Sequence, residues 1–368
     1  MNQSNRRIPG ITVRTTKLRG TVYEVRWRQP DGREVSRTFD VLREAKAWRV
    51  AQEQRKNIGE WIDPRSGKVT FELWAKSWLT INPNKRERTL HRDKQVLLVV
   101  SPAIGNRPLS SLTQADCRKL ITSWQSVGYA PSTIRRQAAV VKAILNSAVE
   151  AELISRSPWR GIRLPADVHK QRTTLSGIDV LSIAEECGLD NGLVVLTAAL
   201  CGLRFGECAA LRICDLDVAN GVLTVSQSLG EVSGRIVVNA PKSNAGLRTM
   251  GMPQALSKQL KVHVEVARHG ALPDEYVFVA PSGGPLRYAN FRSRVFGPAC
   301  ERLGFTNTTF HDLRRFNATV MVGAGVDLKT AQVRLGHADP RLTLALYAQA
   351  TTAGDLTAVG ALDKAIDL

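Results

Sequence analysis

The feature that most limits what this chain can fold into is a change of hydrophobic period along its length. Residues 21–29 alternate with period two, Tyr23, Val25 and Trp27 on one face against Glu24, Arg26 and Arg28 on the other, the pattern of a half-buried strand. Pro30-Asp31-Gly32 is a turn signal, and 33–39 returns as a second strand. Asp40 can cap a helix in which Leu42, Ala45, Trp48 and Ala51 or Gln52 share a face able to cover the sheet. From residue 70 to about 153 the period becomes helical. The spacing predicts helices over 71–79, 89–100, 113–127 and 132–151, the last with a Pro131-Ser132 start and a stripe through Ile134, Ala138, Val141 and Leu145. Further on the two periods mix. Helices are expected over 176–187 and 191–201, and strands over 222–228, 235–240 and 249–252, with Asn220-Gly221 as a hairpin signal. Helices resume near Pro253, Tyr288, Phe310, Asp327 and Arg341.

Such a chain is a multidomain α+β protein. It combines a small β-sheet plus helix at the N-terminus, an all-helical domain, and a mixed, mainly α domain with a small antiparallel sheet. The expected boundaries are 1–65, 66–165, 166–350 and a tail at 351–368. Gly59 to Gly67, with Pro64 inside, reads as a linker, and 157–165 as a connector.

Charge divides the chain differently. Residues 1–65 carry 15 Lys/Arg against 8 Asp/Glu, and 66–165 carry 16 against 6. Residues 166–368 carry 20 against 19, so nearly all of the net +18 lies in the first 165 residues. A diffuse positive field of this kind points to a polyanion, most simply duplex DNA. Arg26, Arg28, Arg33 and Arg37 on the sheet module suit a groove reader, and Arg135, Arg136 and Lys142 on the 132–151 helix suit sequence-neutral phosphate contacts.

No apolar run approaches the roughly 20 residues of a membrane span, so no membrane association and a cytoplasmic location are expected. The six cysteines form no CxxC pair and read as buried free thiols. No carboxylate cluster has metal-site spacing, which disfavours a metal-dependent transposase, and neither metal nor other cofactor is expected.

The near-neutral final half needs its own reason to place arginines. His311-Asp312-Leu313-Arg314, Leu335-Gly336-His337 and Tyr347 follow in order, with Gly202-Leu203-Arg204-Phe205-Gly206-Glu207 far upstream. Arginine forks neutralise phosphate oxygens, histidines move protons, and a tyrosine hydroxyl can attack phosphorus to leave a covalent phosphoenzyme. His311 and Arg314, three apart on one helix, share a face, and His337 follows a glycine suited to end a helix. Such a set suits DNA strand cleavage without a metal. Glu207, Asp215 and Asp312 read as supports that orient neighbours. His91, His169, His263 and His269 show no pairing pattern in the sequence and read as ordinary surface or interface histidines.

In this ordered set the chain resembles the tyrosine recombinases, specifically phage-type integrases. The match places the family's first arginine at Arg204, its β-turn lysine at Lys242 with an accompanying arginine at Arg248, its His-x-x-Arg box at His311 and Arg314, its Leu-Gly-His box at His337 and its nucleophile at Tyr347. Tyr347-Ala348-Gln349 departs from the Tyr-x-His of many relatives. The resemblance extends to an arm-binding domain at 1–65 and a helical core-binding, SAM-like domain at 66–165.

It implies site-specific integration through a 3′-phosphotyrosine and a Holliday junction, with Arg204 and Arg314 on the phosphate, Lys242 as general acid, His311 assisting tyrosine and His337 bonding the phosphate. Arg248 is a further DNA-contact candidate. Also implied are a bacterial host compartment, attachment sites with core and arm sequences, a homotetramer on DNA, a DNA-bending host factor and an excisionase. The tail, with Leu362, Ala365 and Ile366 on one side, would dock on a neighbouring protomer or pack on its own domain. A type IB topoisomerase-like enzyme, a chromosome-dimer resolvase and a catalytically silent DNA-binding regulator are the alternatives.

Overall fold

The computed structural model describes residues 10–16, 20–29, 32, 34–57, 66–81, 85–166, 174–240 and 246–347. Arg33, Lys242, residues 59–65 of the expected linker, His169 and the tail at 351–368 lie outside the described residues, as does the side chain of Tyr347. The chain forms two compact units, residues 1–168 and 169–368.

The first unit opens with a three-stranded antiparallel sheet of β1 (Ile11–Thr16), β2 (Gly20–Arg28) and β3 (Glu34–Phe39) in that spatial order. Strand β1 adds to the expected hairpin. Its register sets Ile11 opposite Val25 and Val13 opposite Tyr23. Ile11, Val25 and Trp27 are buried, and α1 (Leu42–Asn57) lays its buried Ala45 on the sheet with Leu42 and Trp48 beside it. This follows the period-two alternation, with the Val25 and Trp27 face dry and the other exposed at Arg26 and Arg28 though covered at Val22. Arg14, Arg26 and Arg28 stand exposed on the open face, where Arg14 pairs with Glu24 at 2.8 Å. Arg37 is exposed too but pairs in register with Val25, so it shares the helix-covered face, its guanidinium 5.3 Å from the Phe39 ring centroid.

Among the described residues of this unit four α-helices follow: α2 (Phe71–Ile81), α3 (Glu87–Ile104), α4 (Gln114–Ser126) and α5 (Pro131–Glu150). Their core includes Phe71, Val100, Trp124, Ile134, Val141 and Leu145, each fully buried side chain contributing roughly 1.5–3 kcal/mol. Pro131 begins α5, where its missing N–H costs nothing. The Trp74 indole donates to the Ile144 carbonyl (3.2 Å) and the Ser147 hydroxyl (3.1 Å), pinning α2 to α5. Arg136 and Lys142 are exposed; Arg135 is exposed as well, but its Nε donates to the Pro165 carbonyl at 2.9 Å and so tethers the departing chain.

The second unit begins with α6 (Gly177–Glu186), α7 (Leu189–Cys201) and α8 (Phe205–Ala209). Helix α7 is apolar almost all round and is correspondingly central, with Val195, Ala198, Ala199 and Cys201 fully buried. Five short strands follow: β4 (Leu216–Asp217), β5 (Val222–Val225), β6 (Ser228–Val232), β7 (Arg235–Asn239) and β8 (Arg248–Gly251). They make two sheets, β4-β5-β8 and a separate β6-β7 ribbon. The single strand expected over 222–228 is therefore broken. Ser226 donates to the Asp215 carboxylate (2.8 Å) and Gln227 to the Ala210 carbonyl (3.0 Å), and these bonds turn the chain out of the first sheet.

Helix α9 (Gln254–Val266) precedes α10 (Tyr288–Phe291), which runs through a π-turn at Arg292–Phe296 into α11 (Gly297–Arg302). The unit closes with α12 (Phe310–Gly323), α13 (Leu328–Leu335) and α14 (Pro340–Tyr347). All six cysteines are free, five buried and Cys214 exposed. His263 is not the unpaired histidine expected: it bonds the Val277 carbonyl at 3.0 Å and lies 3.3 Å from the Asp190 carboxylate. Among the described residues no helix is long and apolar enough to cross a membrane.

Candidate active site

Two helix ends create the site. Helix α7 stops at Gly202, which adopts a left-handed conformation (φ 64°), and the Leu203 N–H turns back to the Ala198 carbonyl at 3.1 Å. Helix α13 stops in the same way at Gly336 (φ 61°), with the His337 N–H on the Gln332 carbonyl at 3.1 Å. Glycine carries little penalty in this conformation, so both ends reverse sharply and project the next polar residues, Arg204 and His337, from tight turns.

Arg314 joins the two turns. Its side chain is only 3% exposed, and its guanidinium donates to the Gly202 carbonyl at 2.8 Å and to the Leu335 carbonyl. An arginine fork has five donors, so two carbonyls do not exhaust it. Burial, reinforced by the positive charge of Arg204 and Arg248, presses its pKa down to about 9, which still leaves it charged at neutral pH.

Glu207 is the hub. It accepts from the Arg204 side chain (2.8 Å) and from the Arg204 backbone N–H (3.0 Å), so α8 is capped by its own carboxylate. Arg248 meets it from the interior with a two-pronged fork at 2.8 and 3.3 Å, and Arg314 lies 4.0 Å away. Burial raises the Glu207 pKa, but the Arg248 hydrogen bonds and charge, with those of Arg204, outweigh it and hold the carboxyl at about 2. Three guanidiniums thus face one carboxylate. Arg204 alone of the three is substantially exposed, at 42%.

His337 is buried, and its Nδ1 lies 2.9 Å from the Thr343 hydroxyl of α14. Burial first, then the charges of Arg314, Arg204, His311 and Arg248, lowers its pKa to about 4, so the ring is neutral at physiological pH. His311 stands exposed at the start of α12, whose first turn Asp312 fixes by accepting from the Thr309 N–H at 2.8 Å. Tyr347 is the last residue of α14, four residues after Thr343. Among the described residues no three His, Cys, Asp or Glu side chains gather as a metal site requires.

The model of the Phage integrase family matches residues 179–353, which span this whole constellation. An integrase of Mycobacterium phage D29 is 27% identical over 335 residues, covering 87% of each chain. Residues 179–353 form a Phage integrase family domain. Among solved structures, the Tn1549 transposon integrase in complex with transposon right end DNA superposes with a TM-score of 0.70 at 21% identity, over 82% of this chain and 100% of that one. A lambda integrase tetramer bound to a Holliday junction superposes at 0.55 and 18% identity, over 90% and 96%. At these identities the likeness is one of fold.

Within this domain the structure draws together Arg204, Arg314 and His337, with His311 at the rim. Arg248 is placed differently from an exposed DNA contact: it is 3% exposed and lies behind Glu207. Two contributors were not singled out from sequence. Thr343 has a weak signal, a polar residue six positions after His337 on an otherwise apolar turn. The other is an aromatic cluster in which Phe205 meets Tyr288 (5.1 Å), Phe291 (5.3 Å) and Phe310 (5.1 Å), welding α8 and α12 beside Arg204 and His311. Each ring is ordinary in the sequence, and only the fold collects them.

Proposed function

We propose that this protein is a site-specific DNA recombinase that cuts and rejoins duplex DNA through a covalent 3′-phosphotyrosine. The observation that carries this reading is the convergence of Arg204, Arg314 and His337 from two glycine-ended helices and α12. Arg204 and Arg314 hold the non-bridging oxygens of the scissile phosphate and offset the charge of its five-coordinate transition state. In this reading the Thr343 hydroxyl, 2.9 Å from Nδ1, donates to a neutral His337, which puts the ring proton on Nε2 to donate to the phosphate. Tyr347 Oη bonds to phosphorus while the bond to the 5′ oxygen breaks. His311 assists removal of the tyrosine proton, and Lys242 protonates the leaving 5′ oxygen. The reverse step rejoins strands without an energy cofactor.

In this reading residues 1–65 bind arm sequences, with Arg26, Arg28, Arg33 and Arg37 as candidate contacts. Residues 66–165 clamp the core with Arg136 and Lys142, residues 166–350 cut, and the 351–368 tail packs between or within protomers. The tetramer, the Holliday junction, a host bending factor, an excisionase and action in a bacterial host are parts of the same proposal. The relatives named as integrases and the DNA-bound structural neighbours support it.

The test uses nicked duplex carrying a site recovered by selection of bound random DNA. With EDTA present, the wild-type protein forms a covalent adduct and Tyr347→Phe forms none. An adduct that survives in the phenylalanine variant, or one that requires magnesium, defeats the mechanism.

A further inference from the structure

Arg248, the first residue of β8, makes four hydrogen bonds from a side chain that scarcely meets solvent. Two go to Glu207, at 2.8 and 3.3 Å. One goes from Nε to the Arg334 carbonyl at 2.8 Å, and one from the guanidinium to the Gly246 carbonyl at 3.3 Å. Arg334 returns the contact, its own guanidinium donating to the Gly251 carbonyl at 3.0 Å, at the other end of β8, and to the Leu200 carbonyl at 3.2 Å. The two arginines therefore clasp β8 to the end of α13, the turn from which His337 projects.

The charge arrangement gives this clasp a second consequence. A carboxylate offers about four acceptor positions, and Glu207 uses two on Arg204 and two on Arg248. With Arg248 in place, the carboxylate is satisfied from the interior and Arg204 keeps its exposed forward position. Without it, a buried carboxylate loses half its donors; of its two remaining arginine neighbours Arg314 is buried and held by backbone carbonyls, so the more exposed Arg204 guanidinium, already bonded at 2.8 Å, is the one free to turn further onto it. Drawing that group inward would remove it from an incoming phosphate.

We propose that Arg248 is a positioning residue for strand cleavage: through Glu207 it holds Arg204 forward, and through the Arg334 carbonyl it sets the turn that presents His337. This rests on the phosphoryl-transfer reading above. Arg248 touches neither phosphate nor DNA, and its effect reaches the reaction only through those two neighbours. Small displacements of this kind cost about 100-fold in rate.

The test uses full-length protein and the selected nicked duplex, with adduct formation measured in a single turnover, DNA affinity by anisotropy and folding by thermal melting. Arg248→Met is expected to slow adduct formation about 10- to 100-fold while DNA affinity changes by less than about threefold. Arg248→Lys, which keeps the charge but not the fork, should recover part of the rate. In a Glu207→Gln background, adding Arg248→Met should slow the reaction by less than about threefold, because partners in one network are not additive.

If Arg248→Met does not melt cooperatively, Arg248→Lys alone carries the test, expected slower than wild type at wild-type affinity. A folded variant that cuts at the wild-type rate, a loss confined to DNA affinity, or two substitutions whose effects multiply would each overturn the proposal. Failure of the wild-type protein to form any adduct would instead count against the cleavage reading.

Discussion

Phe205 and Phe310 meet edge to face with their ring centroids 5.1 Å apart and their planes at 82°, and each immediately neighbours a site residue, Arg204 or His311. The contact bridges α8 and α12, which are about a hundred residues apart in the chain, and Phe291 and Phe296 extend it at 5.8 and 5.6 Å from Phe310. Aromatic pairs of this geometry contribute about 0.5–1.5 kcal/mol beyond the area they bury. The pair thus sets the spacing between the exposed arginine and the exposed histidine of the site.

Phe310→Ala is expected to lower stability by about 3–5 kcal/mol, as truncation of a buried ring does. Denaturant unfolding reads the loss. Phe310→Leu should recover much of that stability yet still cut slowly, since a branched aliphatic chain cannot restore the edge-to-face contacts.

Gly202→Ala should be destabilising for two separate reasons. The position has φ 64°, costing a side chain about 1–2 kcal/mol, and an added Cβ would stand 2.7 Å from Asn317 Oδ1 and 3.0 Å from Leu335 Cδ2. Relief of that crowding would move the carbonyl that Arg314 holds, so adduct formation should fall together with the melting temperature. Gly251→Ala is the control: beyond its own chain neighbours no atom lies within 4 Å of its Cβ position, and stability should stay within about 0.5 kcal/mol.

Stability should depend on pH through His337. Its folded pKa of about 4 lies below the roughly 6.5 of a free histidine, so the unfolded chain binds the extra proton first. The contribution is complete above about pH 6.5 and is lost as pH falls through that value towards 4. Glu207, held at about 2, adds a second loss below about pH 4.3. Unfolding free energies measured from pH 7 to 4.5 should decline in the wild type and decline less in His337→Gln. Equal slopes in the two proteins would sink the assignment.

Thr343→Val keeps the shape of a side chain that is 1% exposed but strips the hydroxyl from His337 Nδ1. The expected cost is about 1–3 kcal/mol of stability, the penalty of an unmet buried polar group. Cleavage should slow as well, because the ring loses the partner that selects its tautomer. Thr343→Ser, which retains the hydroxyl, should cut near the wild-type rate.

Much of this architecture can be read without coordinates because it rests on local periodicity. Val25 and Trp27 alternate with arginines, Ile134, Ala138, Val141 and Leu145 repeat at helical spacing, and glycines 202 and 336 end helices because few other residues take that backbone conformation. Strand β1, rich in threonine, gives a weaker signal, and the break between β5 and β6 depends on Ser226 and Gln227 bonding to partners 11 and 17 residues away.

By itself the sequence determined the succession of modules, the confinement of excess charge to the first 165 residues, and the ordered residue types from Arg204 to Tyr347. Tertiary structure alone decided which cations reach solvent. Arg204, Arg248 and Arg314 are the same residue type in a nearly neutral segment, yet one is 42% exposed and two are 3% exposed around a shared carboxylate. The physical reason is that burying a charge is tolerable only where distant chain segments converge to supply its partners. Glu207, the carbonyls of Gly202, Arg334 and Leu335, and the ends of two helices meet only when the fold is complete.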